Sequence, residues 1–539
     1  ILLDHVGDLI ARKRFSDARD VVGAHISDFW VEREISRRAQ WEAASLMAEL
    51  GGLVQKVSAE IAAIDVDASR WVAEYTRKEG WFEADLLQRR LETWIANMAD
   101  DFQHEQALAV VRREHEELLK CMASGFSQAF RESGWQVPGV LHQTRIYSDV
   151  VRAFGRRVAY FWVDALRYEM GVELTRHLEG AEDLVIRPAI AALPTITCIG
   201  MAALLPGASA SFSVVGRKNN GIGAVVDGHA MSGTSDRIRF LKARVPDVVE
   251  LTLGKLLNMP ASRLARELEN ASIIVVRSQE IDFAGESDGD LLARQVMETV
   301  VANLSRAIRK LAGAGVERFV IAADHGHQFG LRKSDDMKTD HPGGDTVEIH
   351  RRCWIGRGGK TPPGALRVTG TELGYDTDLD FVFPTGIGVF RAGGDLSYHH
   401  GGISLQEVVI PVVSFRYPAP VGSETQGPVA RVEGVPPVLS NRTFGARLML
   451  TKLDLFTPSP VSLRVSLMAG SEQVGHVGLA QGGDLDRETG LLRVEPNTVV
   501  SIALVLTRDD CEFVRIVVQD PKTDAVVGES DDIPVRLGI

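Results

Sequence analysis

The sequence predicts an α/β protein: a mostly parallel sheet with helices on both faces, preceded by an all-α domain and followed by a β-sandwich. Three observations predict it. Between about residues 155 and 415, short apolar runs of strand length alternate with helix-length stretches, the pattern of a sheet built from crossover units. Ahead of that, residues 32–63, 69–98 and 105–131 place apolar residues three and four apart without a proline, which gathers them on one helical stripe. Beyond residue 428, apolar and polar residues alternate in the short segments 446–450, 461–468, 498–506 and 514–519, parted by Pro, Gly and Asp. The division expected is a helical domain over 1–147, the α/β domain over 148–418 and the β-sandwich over 428–539.

Bulk properties narrow the class. At 539 residues the chain is long enough for several domains, and 45% hydrophobic with 24% charged residues is a globular composition. A net charge of −12 argues against a protein that coats nucleic acid globally, while leaving room for a local basic site. No apolar run reaches the roughly 18 residues of a membrane span, and no secretory signal is visible. The first residue is Ile and not Met, which is compatible with a fragment of a longer chain. Four cysteines (Cys121, Cys198, Cys353, Cys511) without CxxC spacing point to a reduced, cytoplasmic compartment and away from cysteine-ligated zinc.

Taken in order, the helical part carries six of the eight tryptophans (Trp30, Trp41, Trp71, Trp81, Trp94, Trp135), expected to fill seams between helices. No repeat period emerges. Residues 134–147, with Pro138 and Gly139, read as a linker. The α/β pattern follows: a strand over 157–163, a helix over 166–178, and a strand within 184–192 whose Pro188 predicts an edge position or a break. A helix over 197–205 comes next, then a hairpin around Asn220-Gly221 and helices over 234–243 and 262–270. A strand over 273–276, a long helix over 291–312 and a strand over 319–323 complete the series. Residues 327–369 look loop-rich, as binding loops do, and the apolar run 408–413 closes the domain.

Chemistry gathers where those strands stop. The run ending at Val163 meets Asp164, the run 319–323 meets Asp324-His325-Gly326-His327, the run 273–276 leads to Asp282, and Tyr398-His399-His400 precedes the last strand. In open α/β sheets ligands bind outside the carboxyl ends of strands. Carboxylates and imidazoles from separate strand ends are what two neighbouring divalent ions need. Pro194-Thr195-Ile196-Thr197, at a strand-to-helix turn, offers a hydroxyl nucleophile from Thr195 or Thr197, the other serving as a helix cap. His327, His341, His350 and His399 fit supporting, substrate-contacting or ordinary loop roles, and Arg351, Arg352 and Arg357 fit either a phosphate contact or a solvated face.

The ordered set Asp164, Pro-Thr-Ile-Thr, Asp282-x-x-Gly, Asp324-His325-Gly and His400-Gly resembles the alkaline phosphatase superfamily of metal-dependent phosphohydrolases. The motifs Asp164-Ala-Leu-Arg-Tyr-Glu169, Pro194-Thr-Ile-Thr-Cys-Ile-Gly-Met-Ala-Ala-Leu-Leu-Pro206 and His400-Gly-Gly-Ile-Ser-Leu-Gln-Glu-Val-Val-Ile-Pro411 are similar to the PglZ family of BREX bacteriophage-defence systems. The resemblance covers roughly residues 155–415. It implies that Asp164, Thr197, Asp324 and His325 bind one divalent metal, zinc by preference over manganese or magnesium, with Thr197 as nucleophile. Asp282 and His400 would bind a second ion. Superfamily members commonly carry His four residues after that Asp, and this chain has Glu286. A carboxylate is a harder ligand than imidazole, which predicts a second site that is weaker, selective for Mn²⁺ or Mg²⁺, or empty.

The function implied is phosphoester hydrolysis, phosphodiesterase or nuclease-like, on a nucleotide or nucleic acid, with other BREX proteins as partners and no membrane. The alternative is a non-catalytic or regulatory scaffold subunit that binds metal or nucleotide without turnover. A phosphomutase or sulfatase-like activity on the same scaffold is a third reading.

Overall fold

The computed structural model describes residues 2–29, 31, 34–98, 102–155, 157–217, 221–259, 261–287, 290–329, 337–392, 397–417, 429–451, 460–470, 472–487, 489–496, 498–508, 510–521 and 526–537. At its centre are seven strands: β1 (Leu141–His142), β2 (Val158–Val163), β3 (Glu182–Ile190), β4 (Val248–Thr252), β5 (Ile273–Ser278), β6 (Arg318–Ala323) and β7 (Val409–Arg416). They lie in the order β1-β3-β7-β6-β2-β5-β4. β7 runs antiparallel to both its neighbours, and every other pairing is parallel.

Burial follows from position. All six residues of β2 are buried, as are Phe319–Ala323 of β6, because these inner strands are covered on both faces. β3 has only the two-residue β1 beyond it, so Leu184 and Val185 stay exposed, and its Pro188 needs no donor on that side. Register then sets the chemistry. Val163 pairs with Ala323 on one side and with Ser278 on the other, so β2, β5 and β6 stop at one level and the residues after them emerge together. β7 runs the other way, so the loop that leads into it from His400 starts at that same edge.

The amino-terminal part is helical, with long helices Ile35–Ala62, α1 (Phe82–Met98) and α2 (Glu105–Glu132). Its apolar residues and those of the sheet form one continuous core, in which Trp41, Trp71, Trp81 and Trp135 are buried; Trp30 lies outside the described residues. Among the described residues the carboxy-terminal strands are antiparallel and surround a separate core that includes Leu448, Leu463, Ile502 and Ile516. The last of its longer strands, Val526–Glu529, returns against the first, where a Cβ on Gly528 would lie 2.1 Å from the Ala430 carbonyl oxygen. Residues 418–428, read from sequence as a boundary, lie outside the described residues, as does the tip of the hairpin that pairs Phe212–Gly216 with Ile222–Val226.

Several expectations are corrected. Residues 134–147 are not only a linker, since they supply β1 and the buried Gln143. Residues 327–369 are not mainly loop: Asp345–Ile349, Trp354–Arg357 and Ala365–Thr369 join Asp380–Pro384 in a four-stranded antiparallel sheet. Strand β4 and the helix Glu280–Gly285 carried no legible periodicity, because each is only five or six residues long.

A buried ion network ties the helical part to the sheet. Arg89 on α1 forks onto Glu169, with Nε–Oε1 at 3.1 Å and Nη2–Oε2 at 2.9 Å, and also reaches Glu173; Arg167 donates to Glu169 Oε1 at 2.6 Å. Burial alone would raise the Glu173 carboxyl, but Arg89 and Arg90 outweigh it and bring it from 4.5 down to about 2. Arg89→Met should therefore leave Glu169, fully buried, without its fork and cost about 3–5 kcal/mol in urea unfolding. In the wild type the Glu173 contribution is present above its unfolded pKa near 4.5 and fades as pH falls towards 2, so the gap between wild type and variant should narrow over that range.

Candidate metal centre

The shared strand edge brings the sequence candidates into two groups. Ligand atoms of Asp164, Asp324 and His325 lie within 4.8 Å of one another, and so do those of Asp282, His325 and His400. His325 belongs to both groups. Its Nε2 is 3.4 Å from Asp324 Oδ2 and 3.7 Å from Asp164 Oδ1. His400 Nε2 is 3.6 Å from Asp282 Oδ1 and 3.5 Å from Glu286 Oε1, and the two imidazoles stack with centroids 4.4 Å apart. Thr197 opens the helix α3 (Thr197–Ala203), and its Oγ1 is 3.3 Å from His325 Nε2. Glu286 stands at the rim, its side chain 60% exposed, whereas Asp164, Asp324 and His325 are buried.

Backbone groups aim these side chains. Asp324 Oδ1 accepts from the amides of Ala165 (3.0 Å) and His325 (2.9 Å), which turns Oδ2 towards the cluster. The His325 Nδ1 proton goes to the Gly326 carbonyl at 3.0 Å and that of His400 to the Thr195 carbonyl at 3.2 Å, so each Nε2 faces inward to the cluster. Tyr398 donates to Asp282 Oδ1 at 2.8 Å.

The donors fit a cation. Asp324 Oδ2 and Asp164 Oδ1 are buried and receive no hydrogen bond, a costly state for carboxylates that a divalent ion relieves. Burial, then the charges of Asp324 and Asp282, push the Asp164 carboxyl well above its usual range. His400, which burial would lower, is raised to about 9 by its contact with Glu286 and by Asp282. Beyond the effect of burial, the charge contributions to both shifts reflect negative charge gathered in one place.

Other residues are corrected or newly found. Neither threonine caps α3; the residue before it is Ile196, without a capping bond. Thr195 is occupied in fixing the His400 loop, donating to Gly402 O at 2.8 Å and accepting from Gly401 N at 3.1 Å. Arg352 is buried in a fork on Glu407, and Arg357 forks on Asp378, so neither side chain is free for phosphate. His327 donates to Ala165 O at 2.8 Å, His350 meets Glu348 at 2.7 Å, His341 caps Gly343 N on the surface, and His399 is buried in a strand pair with Gln328.

Gln143 was invisible to sequence reasoning because it sits in an aperiodic stretch. It clamps the centre by donating to Ala323 O (2.8 Å) and Asp324 O (2.7 Å) while accepting from Ala192 N (2.9 Å). Ala165 takes a left-handed φ of 59°, strain of the kind found at functional sites, and thereby presents its amide to Asp324.

Comparison with known proteins settles the family. Residues 144–415 match the family model described as the BREX system PglZ alkaline phosphatase-like domain, half of the chain. The chain belongs to the PglZ family. The alkaline phosphatase-like protein BrxZ of Escherichia coli O9:H4 (strain HS) is 28% identical over 315 residues, 55% of this chain and 35% of that protein. The alkaline phosphatase-like protein PglZ of Bacillus cereus (strain H3081.97) is 26% identical over 303 residues, 53% of this chain and 34% of its own length. The chain thus matches about a third of the length of these curated relatives. Similar solved structures include phosphonoacetate hydrolase of Sinorhizobium meliloti 1021 with phosphonoacetate, at 11% identity and a TM-score of 0.32, covering 48% of this chain and 90% of that one. Murine ectonucleotide pyrophosphatase/phosphodiesterase 5 with AMP is similar at 12% identity and a TM-score of 0.33, covering 48% and 87%.

The PglZ centre depends on one close approach. A Cβ at Gly200, on α3, would lie 2.2 Å from the Asp324 carbonyl oxygen. Gly200→Ala should push α3 and Thr197 away from Asp324, costing about 1–3 kcal/mol of stability and lowering metal content. Urea unfolding and elemental analysis check both.

Proposed function

We propose that this PglZ chain is a metal-dependent phosphoester hydrolase with Thr197 as its nucleophile, acting on a phosphodiester in a nucleotide or nucleic acid during bacteriophage defence. One observation carries the reading: the Thr197 hydroxyl lies 3.3 Å from the imidazole common to both ligand groups. Asp164, Thr197, Asp324 and His325 would hold one divalent ion, and Asp282 and His400, with Glu286 at the rim, the other. Bound divalent ions supply electrostatic stabilisation of charge developing on the phosphoryl oxygens. The chain's own groups do the rest. Thr197 Oγ1 attacks phosphorus, and its proton leaves with the departing ester oxygen as an alcohol; water then cleaves the threonine ester, releasing the phosphomonoester and restoring the hydroxyl. Thr195 cannot serve in this way while both its hydroxyl contacts hold the loop of residues 400–402.

Three working parts accompany the chemistry: a helical support over 1–147, the catalytic unit over 148–418 and a β unit over 428–539 available to other BREX proteins. The setting we infer is cytoplasmic, and among the described residues no helix is long and apolar enough to cross a membrane. The rival reading, a regulatory subunit without turnover, draws on Glu286. Defence that persists in Asp324→Ala would favour it.

Purified protein should hydrolyse a chromogenic phosphodiester with added Zn²⁺ or Mn²⁺ and lose activity to a chelator. Thr197→Ala and Asp324→Ala should each lower the rate by about a hundredfold or more, and undiminished turnover in both would remove the site from the reaction. Glu286→His should raise zinc content at the second site, read by elemental analysis.

A further inference from the structure

The three parts of the chain meet around a cavity of about 480 Å³, within the range of roughly 300–1,000 Å³ that small-molecule sites occupy. None of the metal-centre candidates lines it. Helix α1 contributes Arg90, Thr93, Trp94 and Asn97, which share a face because they are three and four residues apart. Glu173 and His177 come from the helix Tyr168–Arg176 and the residue after it, and Glu298 from the helix Asp290–Gly313. The opposite wall is the β unit, with Arg464 on the strand Val461–Ala469 and Gln473 and His476 on the strand Glu472–Gln481. Arg38, donating to Ala480 O at 3.1 Å, and the ion pair of Glu42 with Arg487 hold that wall against the helices.

Several polar atoms here are not met within the chain. Thr93 Oγ1 and Gln473 Oε1 belong to side chains only 4% and 7% exposed and have no hydrogen-bond partner, although the Gln473 amide is oriented by donating to Gly475 O at 3.3 Å. Glu298 Oε2 is likewise buried and unbonded, while its other oxygen lies 3.6 Å from His476 Nε2. Buried polar groups are ordinarily satisfied, so these atoms specify what a ligand must bring. Gln473 and Glu298 call for N–H or O–H donors. Trp94, its indole N–H fixed on Ala39 O at 3.0 Å, offers a flat apolar surface. Cations gather around His177, whose pKa falls to about 4 through burial, with Arg464, Arg309 and Arg90 acting against Glu173. That glutamate is already shared by Arg89 and Arg90.

The order of these groups is linear. Met468 pairs with Gln473 and Ser466 with His476, so Arg464 lies four residues from the Gln473 level, about 13 Å along the strand, with His476 and Glu298 between them. We propose that this seam is a second ligand site and that its occupant is a nucleoside monophosphate: the base edge at Gln473 and the ring against Trp94, the ribose hydroxyls at Glu298, and the phosphate at Arg464. Donors at one end, a flat ring and an anion at the other end match the unmet acceptors, the apolar wall and the cations together. The proposal goes beyond the phosphoester reading and does not depend on it. Because the ligand touches all three parts, it stabilises their docked arrangement.

The test titrates the full chain with AMP, GMP, CMP and UMP by calorimetry, with a chelator present so that the metal centre offers no bound ion, and records the melting temperature of every variant. At least one nucleotide should bind one-to-one. Arg464→Met should weaken its Kd about tenfold or more and Gln473→Leu about threefold or more, while Asp324→Ala leaves it unchanged. Should Arg464→Met fail to fold, Glu298→Ala, whose side chain is 40% exposed, takes its place with weakening of about threefold or more expected. A Kd within about twofold of wild type in any of these folded seam variants overturns the proposal. So does a wild type that binds none of the four, inorganic phosphate that binds as tightly as the best of them, or binding that Asp324→Ala abolishes, which would put the ligand at the metal centre.

Discussion

The constraint on which this structure depends is the parallel register of β2, β5 and β6. Because Val163, Ser278 and Ala323 are level, the polar residues that follow them converge without any long loop having to bring them together. Convergence has an electrostatic consequence. Buried carboxylate oxygens of Asp164 and Asp324 face His325 and receive no proton donor, so the polypeptide alone leaves that cluster unbalanced. A divalent cation is the partner that carboxylate and imidazole donors of this geometry select.

Around the cluster, polar side chains far from any reacting atom maintain its shape. Glu407 accepts from Arg352, Ser404 and the Gly402 amide, which fixes the loop that carries His400. Its neighbour Gln406 donates to Asp85 in the helical part, and the Gln406 carbonyl lies where a Cβ on Gly326 would be only 2.0 Å away. Asp85 in turn accepts from Tyr75 at 2.8 Å. The helices therefore brace the Asp324-His325-Gly326 turn from behind, through the same core that contains the sheet. This explains why the long motif running from His400 to Pro411 contains polar residues that do not point at the centre.

The same packing limits what the centre can exchange with solvent. His325 and the two aspartates are closed off, while Glu286 lies open at the rim beside His400. The two ligand groups are thus unlike in exposure and in hardness, and an ion bound beside Glu286 would sit in the wetter of the two environments.

Much of this was legible in the sequence, and the boundary has a physical basis. Apolar runs that end abruptly at Asp164 and Asp324 mark inner strands and their carboxyl ends, because burial on both faces forces a continuous apolar run and its interruption. The long helices were readable from their stripe. What local pattern could not supply was anything decided by partners distant along the chain: the clamp made by Gln143, the loop role of Thr195, and the pairing of Arg352 with Glu407. Residue type and spacing determine which elements form and where they stop; hydrogen-bond partners and buried charge balance are settled only when strands separated by more than a hundred residues align in register.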